Sequence, residues 1–173
     1  MHIYVHKNKI TYTNYKGKCA IGKRGISKNK VEGDLKTPKG SFNLEYILYR
    51  KDRIGQIKTS LKKKIIRRNM VWCDDPLSKY YNQLVKLPFK FSAEKLFRKD
   101  NSYDVIIVIN FNRKKIKKNK GSAIFIHLAK KNYKPTKGCV AISKPFMLSL
   151  ISLISASSTS GTIPLLPLCT VTV

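Results

Sequence analysis

The segment IFIHLAKKNYKPTKGCVAIS carries the residues best placed to do chemistry. His127 ends one apolar strand, and Cys139 stands between Gly138 and a second apolar stretch, Val140 to Ile142. If the two strands are neighbours, the connection over 128–138 lets the imidazole approach the thiol, and a histidine can hold a cysteine as the thiolate that attacks carbonyl groups. Gly138 leaves room for a substrate backbone beside amides that stabilise an oxyanion. The alternative is that Cys139 is a small buried apolar residue and His127 a surface residue.

A second cluster lies in VWCDDPLSKYYN, which brings two acids and two aromatic residues together. These residues are Trp72, Asp74, Asp75 and Tyr81. Clustered acids in a basic chain can hold a substrate amine or pair with a buried arginine. Helix capping by Asp75 is the alternative.

The cysteines and histidines elsewhere in the chain do not predict a metal site. Cysteines stand at 19, 73, 139 and 169, and histidines at 2, 6 and 127, without a CxxC pair or a zinc-ligand spacing. We therefore predict no metal and no cofactor. Cys19, Cys73 and Cys169 are expected to pack in the core, and His2 and His6 to face solvent.

Glycines mark successive turns in GKRGISKNKVEGDLKTPKGSF, which predicts a shaped loop leading into a strand. The segment lacks the glycine and lysine spacing of a phosphate-binding loop, and no strand leads into a helix here. Nucleotide binding is therefore not expected.

Most of the elements that must position these residues are predicted to be strands. The segments HIYVH, ITYT, GKCAIG, SFNLEYILY, YDVIIVINF and SAIFIH are rich in β-branched and aromatic residues. The run from Val105 to Ile109 predicts a strand buried on both faces, with SAIFIH as its neighbour. Short helices are predicted over Pro76 to Leu84 and Ser92 to Phe97, capped by Asp75 and Ser92. The pattern predicts an α+β, mostly β, single domain.

The charge balance is extreme. The 173 residues include 36 Lys plus Arg against 9 Asp plus Glu, a formal net charge of +27, which favours anionic partners. The length excludes two ordinary domains, and the 42% hydrophobic content disfavours wholesale disorder. The basic runs KTSLKKKIIRR and NRKKIKKNK leave nonspecific nucleic-acid binding as an alternative function, although no nucleic-acid signature accompanies them and we expect no specific nucleic-acid partner.

The ends of the chain differ in character. We divide it into 1–144 and an atypical tail, 145–173, which holds no charged residue. The tail predicts a buried helix over Phe146 to Ile154 with Pro145 in its first turn, a loop rich in Ser, Thr and Gly, and a terminal strand in LCTVTV. The apolar run is too short to span a bilayer, so no transmembrane span is expected. At the other end, no apolar stretch has the length of a secretory signal.

Three motifs in one order resemble the YkuD-type L,D-transpeptidase catalytic domain, in a small stand-alone branch of that family. The likeness runs from about Gly17 to Ser143. Its motifs are EGDLKTPKGSF, similar to the family's TPxGxF signature, WCDDPLSKYYN, and IFIH followed by PTKGCVAIS, similar to its His and SHGC elements. The resemblance implies a β-sandwich or barrel core with a few short helices. It also implies a thioester acyl-enzyme on peptidoglycan tetrapeptide stems, made with loss of D-alanine and resolved by an amine in cross-linking or remodelling of the wall. With water as the acceptor, the enzyme would be an L,D-carboxypeptidase.

The resemblance also assigns roles to residues. It makes Cys139 the nucleophile and His127 the base, with Gly138 and the Cys139 amide in the oxyanion region and a backbone carbonyl near Leu128 orienting the imidazole. The expected substrate contacts are Lys137, Thr136, Trp72, Asp74, Asp75 and Tyr81. The chain departs from the family pattern with Lys137 in place of a histidine and Ala141 in place of an arginine. We expect stem peptides and anionic wall polymers as partners, a monomer, and a location in the periplasm or cell envelope.

Overall fold

Strands are the main regular element in the part of the chain that the structure, a computed structural model, describes: residues 2–156 and 170–173. The strands are β1 (His2–His6), β2 (Lys9–Tyr12), β3 (Tyr15–Ala20), β4 (Ile26–Ser27), β5 (Thr37–Pro38), β6 (Ser41–Tyr49), β7 (Lys62–Ile65), β8 (Met70–Cys73), β9 (Leu84–Lys86), β10 (Ala93–Lys95), β11 (Val105–Ile109), β12 (Phe125–Leu128), β13 (Val140–Ile142) and β14 (Thr170–Thr172). The helices are α1 (Lys51–Ile54) and α2 (Lys144–Ala156), and 3-10 turns cover Asn101–Tyr103 and Lys131–Tyr133. The predicted mostly β class is confirmed.

The main sheet closes into a ring. Its strand order is β11-β12-β13-β3-β2-β1-β14-β6-β7, and β11 also pairs with β6. The pairing is possible because β6 is long: residues 41–43 pair with β14, and residues 44–49 pair with β11. Eight strands therefore form a closed barrel, and β7 extends it beside β6. The predicted adjacency of β11 and β12 is confirmed.

The barrel wall has an apolar cluster on each face. β11 is buried along its whole length, as its run of β-branched residues predicts. Val105, Ile107 and Ile109 point into the barrel interior, whereas Ile106 and Val108 belong to a second cluster outside it. The smaller sheet β10-β8-β9 contributes Trp72 to this outer cluster, alongside residues that include Phe125 and Cys139. The candidate nucleophile thus lies on the outer face of the barrel wall.

The helix predicted over Pro76 to Leu84 is wrong. Residues 76–83 form turns, and β9 begins at Leu84. Asp75 Oδ1 accepts a hydrogen bond from the Leu77 amide at 2.9 Å, and Ser78 Oγ accepts one from the Tyr80 amide at 3.1 Å. Such local hydrogen bonds from side chains offer the backbone an alternative to helical hydrogen bonding, and this segment adopts turns.

The helix predicted over Ser92 to Phe97 is also wrong. Residues 93–95 form β10, which pairs antiparallel with β8 in the register Glu94↔Trp72. Strand pairing in the fold overrides the helix-compatible spacing of this segment. Ser92 does not cap a helix, and its amide donates to Asp75 Oδ2 at 3.3 Å.

The uncharged tail contributes to the barrel core. α2 confirms the predicted helix and buries Met147, Leu150, Ile151 and Ile154, a spacing that places them on one face. β14 confirms the terminal strand and lies between β1 and β6. The division after residue 144 stays a prediction. The predicted loop beyond residue 156 and Cys169 lie outside the described residues. Among the helices that the structure describes, none has the length and apolar character needed to cross a bilayer.

The packing of α2 predicts a difference between two adjacent positions. Ile151→Ala should lower the free energy of unfolding by about 2–5 kcal/mol, because a fully packed side chain leaves a cavity. Ser152 is exposed on the same helix, so Ser152→Ala is the matched control and should change stability by less than about 0.5 kcal/mol. Urea unfolding monitored by circular dichroism measures both variants. Equal midpoints would show that α2 does not pack on the barrel.

Candidate active site

The pairing of β12 and β13 places the candidate nucleophile and base on one face. The strands are parallel, with Ile126 opposite Val140 and His127 opposite Ala141. Because side chains alternate along a strand, His127 and Cys139 point to the same side as diagonal neighbours. Both line a cavity of about 730 Å³ on the outer face of the barrel. The walls of the cavity include the loop before β5, the β8–β10 sheet and the Asn101–Tyr103 turn.

The thiol of Cys139 is held as a neutral group. Its Sγ donates to the Ala123 carbonyl at 3.1 Å and accepts from the Phe125 amide at 3.4 Å. Burial raises the pKa of the thiol to about 12, and the charge of Glu94 adds to this rise. The Phe125 amide and the charge of Lys30 lower the same pKa. The cysteine therefore rests protonated.

The imidazole of His127 is also neutral and has a fixed orientation. Its Nδ1 lies 2.9 Å from the Leu128 carbonyl, which only accepts, so Nδ1 carries the proton and Nε2 carries the lone pair. Burial lowers the pKa of the imidazole to about 4, against the opposing effect of that carbonyl. The ring of Tyr103 packs edge-on at 5.2 Å. The bond to Leu128 is the contact that the family resemblance implied.

The sequence suggested a thiolate held by the histidine, and the structure shows a different resting state. Within residues 2–156 and 170–173, no hydrogen bond joins Cys139 Sγ to the His127 ring, and the thiol bonds to Ala123 instead. Desolvation disfavours both charged forms. A neutral thiol and a neutral imidazole thus line the same cavity.

The turn before Cys139 is fixed by Thr136 and by the absence of a side chain at Gly138. Thr136 Oγ1 donates to the Cys139 carbonyl at 2.6 Å and accepts from the Gly138 amide at 3.1 Å. Gly138 has φ +148°, and a Cβ there would lie 2.9 Å from the Lys36 carbonyl oxygen. The space beside this glycine is therefore filled by the loop before β5. Thr136 lines the cavity, but its hydroxyl is engaged by its own turn.

One wall of the cavity carries acids. Glu94 on β10 accepts from the Tyr103 hydroxyl at 2.8 Å, and burial raises the pKa of its carboxyl. Asp74 lines the same wall, and its buried Oδ1 has no hydrogen-bond partner among the residues that the structure describes. Lys137 is exposed at the cavity, and its charge acts to lower the pKa of Glu94. Three of the predicted substrate contacts, Thr136, Asp74 and Lys137, are thus at the cavity.

The remaining predicted substrate contacts, Trp72, Tyr81 and Asp75, do not line this cavity. Trp72 is fully buried and donates from Nε1 to Asn82 Oδ1 at 2.9 Å. Tyr81 is 1% exposed, donates to Glu32 and accepts from the Gly121 amide. Asp75 holds the Leu77 and Ser92 amides and does not line the cavity. These three residues support the walls.

Sequence reasoning missed Lys30, Glu94 and Tyr103, all of which line the cavity. Nothing local distinguishes Lys30 from its neighbouring lysines. The scarcity of acidic residues was the signal that could have identified Glu94. The chain has only 9 acids, and three of them, Glu32, Asp74 and Glu94, line this one cavity.

The remaining predicted positions agree with their expected environments. Cys19 and Cys73 are buried free thiols, and His2 and His6 are exposed. In the described part of the chain, no three His, Cys, Asp or Glu side chains gather in a way that would hold a metal ion.

A cysteine and an oriented histidine thus line one cavity on the outer face of a closed barrel. The family model described as the L,D-transpeptidase catalytic domain, YkuD, matches residues 1–165, and the chain belongs to this family. The match includes α2 and ends within the uncharged tail. No curated protein sequence matches the chain. Enzymes of this family act on cell-wall peptidoglycan, which is the coarse function that the match supports.

The buried imidazole predicts a titration shifted to low pH. The pKa of His127 in the folded chain lies near 4, below its ordinary value of 6.5, so folding stability is complete above pH 6.5 and decreases as the pH falls towards 4. The loss should be about 3 kcal/mol. Ring-proton NMR should show His127 neutral at pH 5.5, with His127→Gln identifying its signal and lacking this part of the pH-dependent stability. A midpoint near 6.5 would contradict the buried neutral base.

The close contact at Gly138 predicts a stability difference between two glycines. Gly55 has φ +73° with no atom within 4 Å of an added Cβ, whereas Gly138 also meets the Lys36 carbonyl. Gly55→Ala should cost about 1 kcal/mol from backbone strain alone. Gly138→Ala should cost about 3 kcal/mol, because the loop before β5 must move. Thermal unfolding compares the two variants, and equal losses would show that the loop does not constrain this turn.

Proposed function

We propose that this chain is a cysteine-dependent L,D-transpeptidase that acts on peptidoglycan tetrapeptide stems through a thioester of Cys139. The observation that carries the proposal is the placement of Cys139 and His127 on one face of one cavity, with the imidazole oriented by the Leu128 carbonyl. Membership in the family supports the substrate class.

The first half-reaction releases D-alanine. Cys139 Sγ attacks the carbonyl carbon of the L-centre of the stem while His127 Nε2 takes the thiol proton. The negative charge that develops on the carbonyl oxygen is placed near the Cys139 amide, beside Gly138. The C–N bond to the terminal D-alanine then breaks, and His127 returns the proton to the leaving amine. The products are a thioester and free D-alanine.

The second half-reaction restores the thiol. An acceptor amine attacks the thioester carbonyl and gives its proton to His127, the C–S bond breaks, and the cysteine takes the proton back. The cavity favours an amine at this step through the acids of its wall, Asp74 and Glu94. Lys137 is placed to meet a carboxylate of the stem as a mobile point charge. Water in place of the amine would give an L,D-carboxypeptidase.

The charge of the whole chain is consistent with a substrate in the envelope. With a net charge of +27, the protein is attracted to stems and wall polymers rich in carboxylate and phosphate. We assign it to the periplasm or cell envelope, acting as a monomer.

Replacement of the nucleophile tests the proposal. Cys139→Ala should reduce D-alanine release from a muropeptide tetrapeptide by at least about 1000-fold, because no other described cysteine lines the cavity. Cys73→Ala is the control at a buried cysteine away from the cavity and should keep the activity. Chromatography of the products against added amine separates cross-linking from hydrolysis. Unchanged release in Cys139→Ala would disprove the mechanism.

A trapped acyl-enzyme gives a second readout. Incubation with a carbapenem should add one acyl group, and peptide mapping should place it on Cys139. A label on Cys19 or Cys73 would move the site elsewhere.

A further inference from the structure

Lys30 is an unusual lysine in this chain. Among the described residues it is the buried lysine, with 6% of its surface exposed, although the chain is rich in lysines that face solvent. Its Nζ donates to Asp34 Oδ1 at 2.5 Å and to the Val31 carbonyl at 2.7 Å. Asp34 is held in turn by the Val31 and Lys36 amides. Burying an ammonium group is costly, so its position is fixed by these partners.

The side chain of Lys30 lies against the turn that carries the nucleophile. Its Cε is 3.7 Å from the position of a Cβ on Gly138, the residue before Cys139. Its stem also closes the space over Gly121, where a Cβ would lie 2.9 Å from Lys30 Cγ. Lys30 and Cys139 line the same cavity. The ion pair of Lys30 with Asp34 therefore lies beside the turn that carries Cys139.

Glu94, on β10, is an acidic residue of the same cavity. Its carboxylate lines the cavity with Cys139 and is tethered by the Tyr103 hydroxyl at 2.8 Å. Cys139 thus shares its cavity with a tethered basic group and a tethered acidic group.

We propose that Lys30 and Glu94 are positioning residues that set the reactivity of Cys139 in opposite directions, Lys30 by stabilising the thiolate and Glu94 by opposing it. The inference rests on the proposed function in that Cys139 is the nucleophile. The charge of Glu94 raises the pKa of the thiol, and the charge of Lys30 lowers it. Lys30 also favours the oxyanion that forms beside Gly138, because the same positive charge acts on both.

Other ionisable groups face the cavity and must be kept unchanged in a test. They are Glu32 from the loop before β5, Asp74 after β8, Arg98 and Tyr103 near the 3-10 turn, His127 on β12, and Lys130, Lys134 and Lys137 from the segment between β12 and β13. His127 is neutral above pH 5, so it contributes no charge at the pH values of the experiment.

Alkylation of Cys139 by iodoacetamide between pH 7 and pH 10 tests the proposal without any peptidoglycan substrate. Mass spectrometry of the digested protein gives the rate at each cysteine. Lys30→Met keeps the length of the side chain and should slow alkylation of Cys139 about 10-fold at every pH, the effect of a thiol pKa raised by about one unit. Lys30→Arg keeps the charge and should stay within about 3-fold of the unchanged protein.

Glu94→Gln should have the opposite effect. It retains an oxygen that accepts from Tyr103 and removes the negative charge, so alkylation of Cys139 should become about 10-fold faster. The double variant Lys30→Met with Glu94→Gln should return close to the original rate. A merely structural role for either residue would loosen the site and speed alkylation in both single variants, and that result would overturn the proposal.

Cys19 and Cys73 serve as internal controls, because both are buried away from this cavity. Their alkylation rates should not change in any variant that folds. If Lys30→Met unfolds, all four cysteines of the chain react together and the Glu94→Gln variant decides: acceleration confined to Cys139 supports the proposal, and no acceleration refutes it. If Cys139→Ala still releases D-alanine, the proposed function fails while the alkylation result remains readable, so the two failures are distinguishable.

Discussion

The parallel pairing of β12 with β13 is the constraint on which the site depends. With Ile126 opposite Val140, these two side chains fill the barrel interior, and Cys139 and His127 must point outwards. A slip of one residue in this register would bury the thiol in the barrel and expose an isoleucine in the cavity. The apolar residues of the two strands therefore do more than stabilise the fold, since their burial in the barrel interior also decides which side chains reach the substrate.

Burial then decides the protonation states of Cys139 and His127. The same desolvation favours the neutral imidazole of His127 and the protonated thiol of Cys139, so neither side chain is charged at rest. Both polar groups are satisfied by backbone carbonyls, Ala123 for the thiol and Leu128 for the imidazole. Leu128 belongs to β12 and Ala123 lies two residues before that strand, so backbone at the barrel wall supplies both partners.

The sequence predicted the features that local pattern determines and missed those that depend on distant contacts. The buried run of β11, the helix of the uncharged tail and the approach of Cys139 and His127 follow from periodicity and from one short connection. The segments around Asp75 and Ser92 were predicted as helices because their spacing fits, but turn hydrogen bonds and pairing with Trp72 on β8 decide their structure. The burial of Trp72 and Tyr81 depends on residues far along the chain, so an aromatic pair beside acids was interpreted as a substrate surface.

Net charge and local charge have separate consequences in this protein. A surface with 36 basic residues against 9 acidic ones acts at long range, speeds encounter with an anionic partner and is screened by salt. A charge that is buried and tied to fixed partners acts at short range and is screened much less. Lys30 carries the same positive charge as the other lysines but differs from them in being buried. Glu94 has a charge opposite to that of most charged residues in the chain. A strongly basic chain can therefore have a cavity in which a few tethered groups determine the electrostatic field.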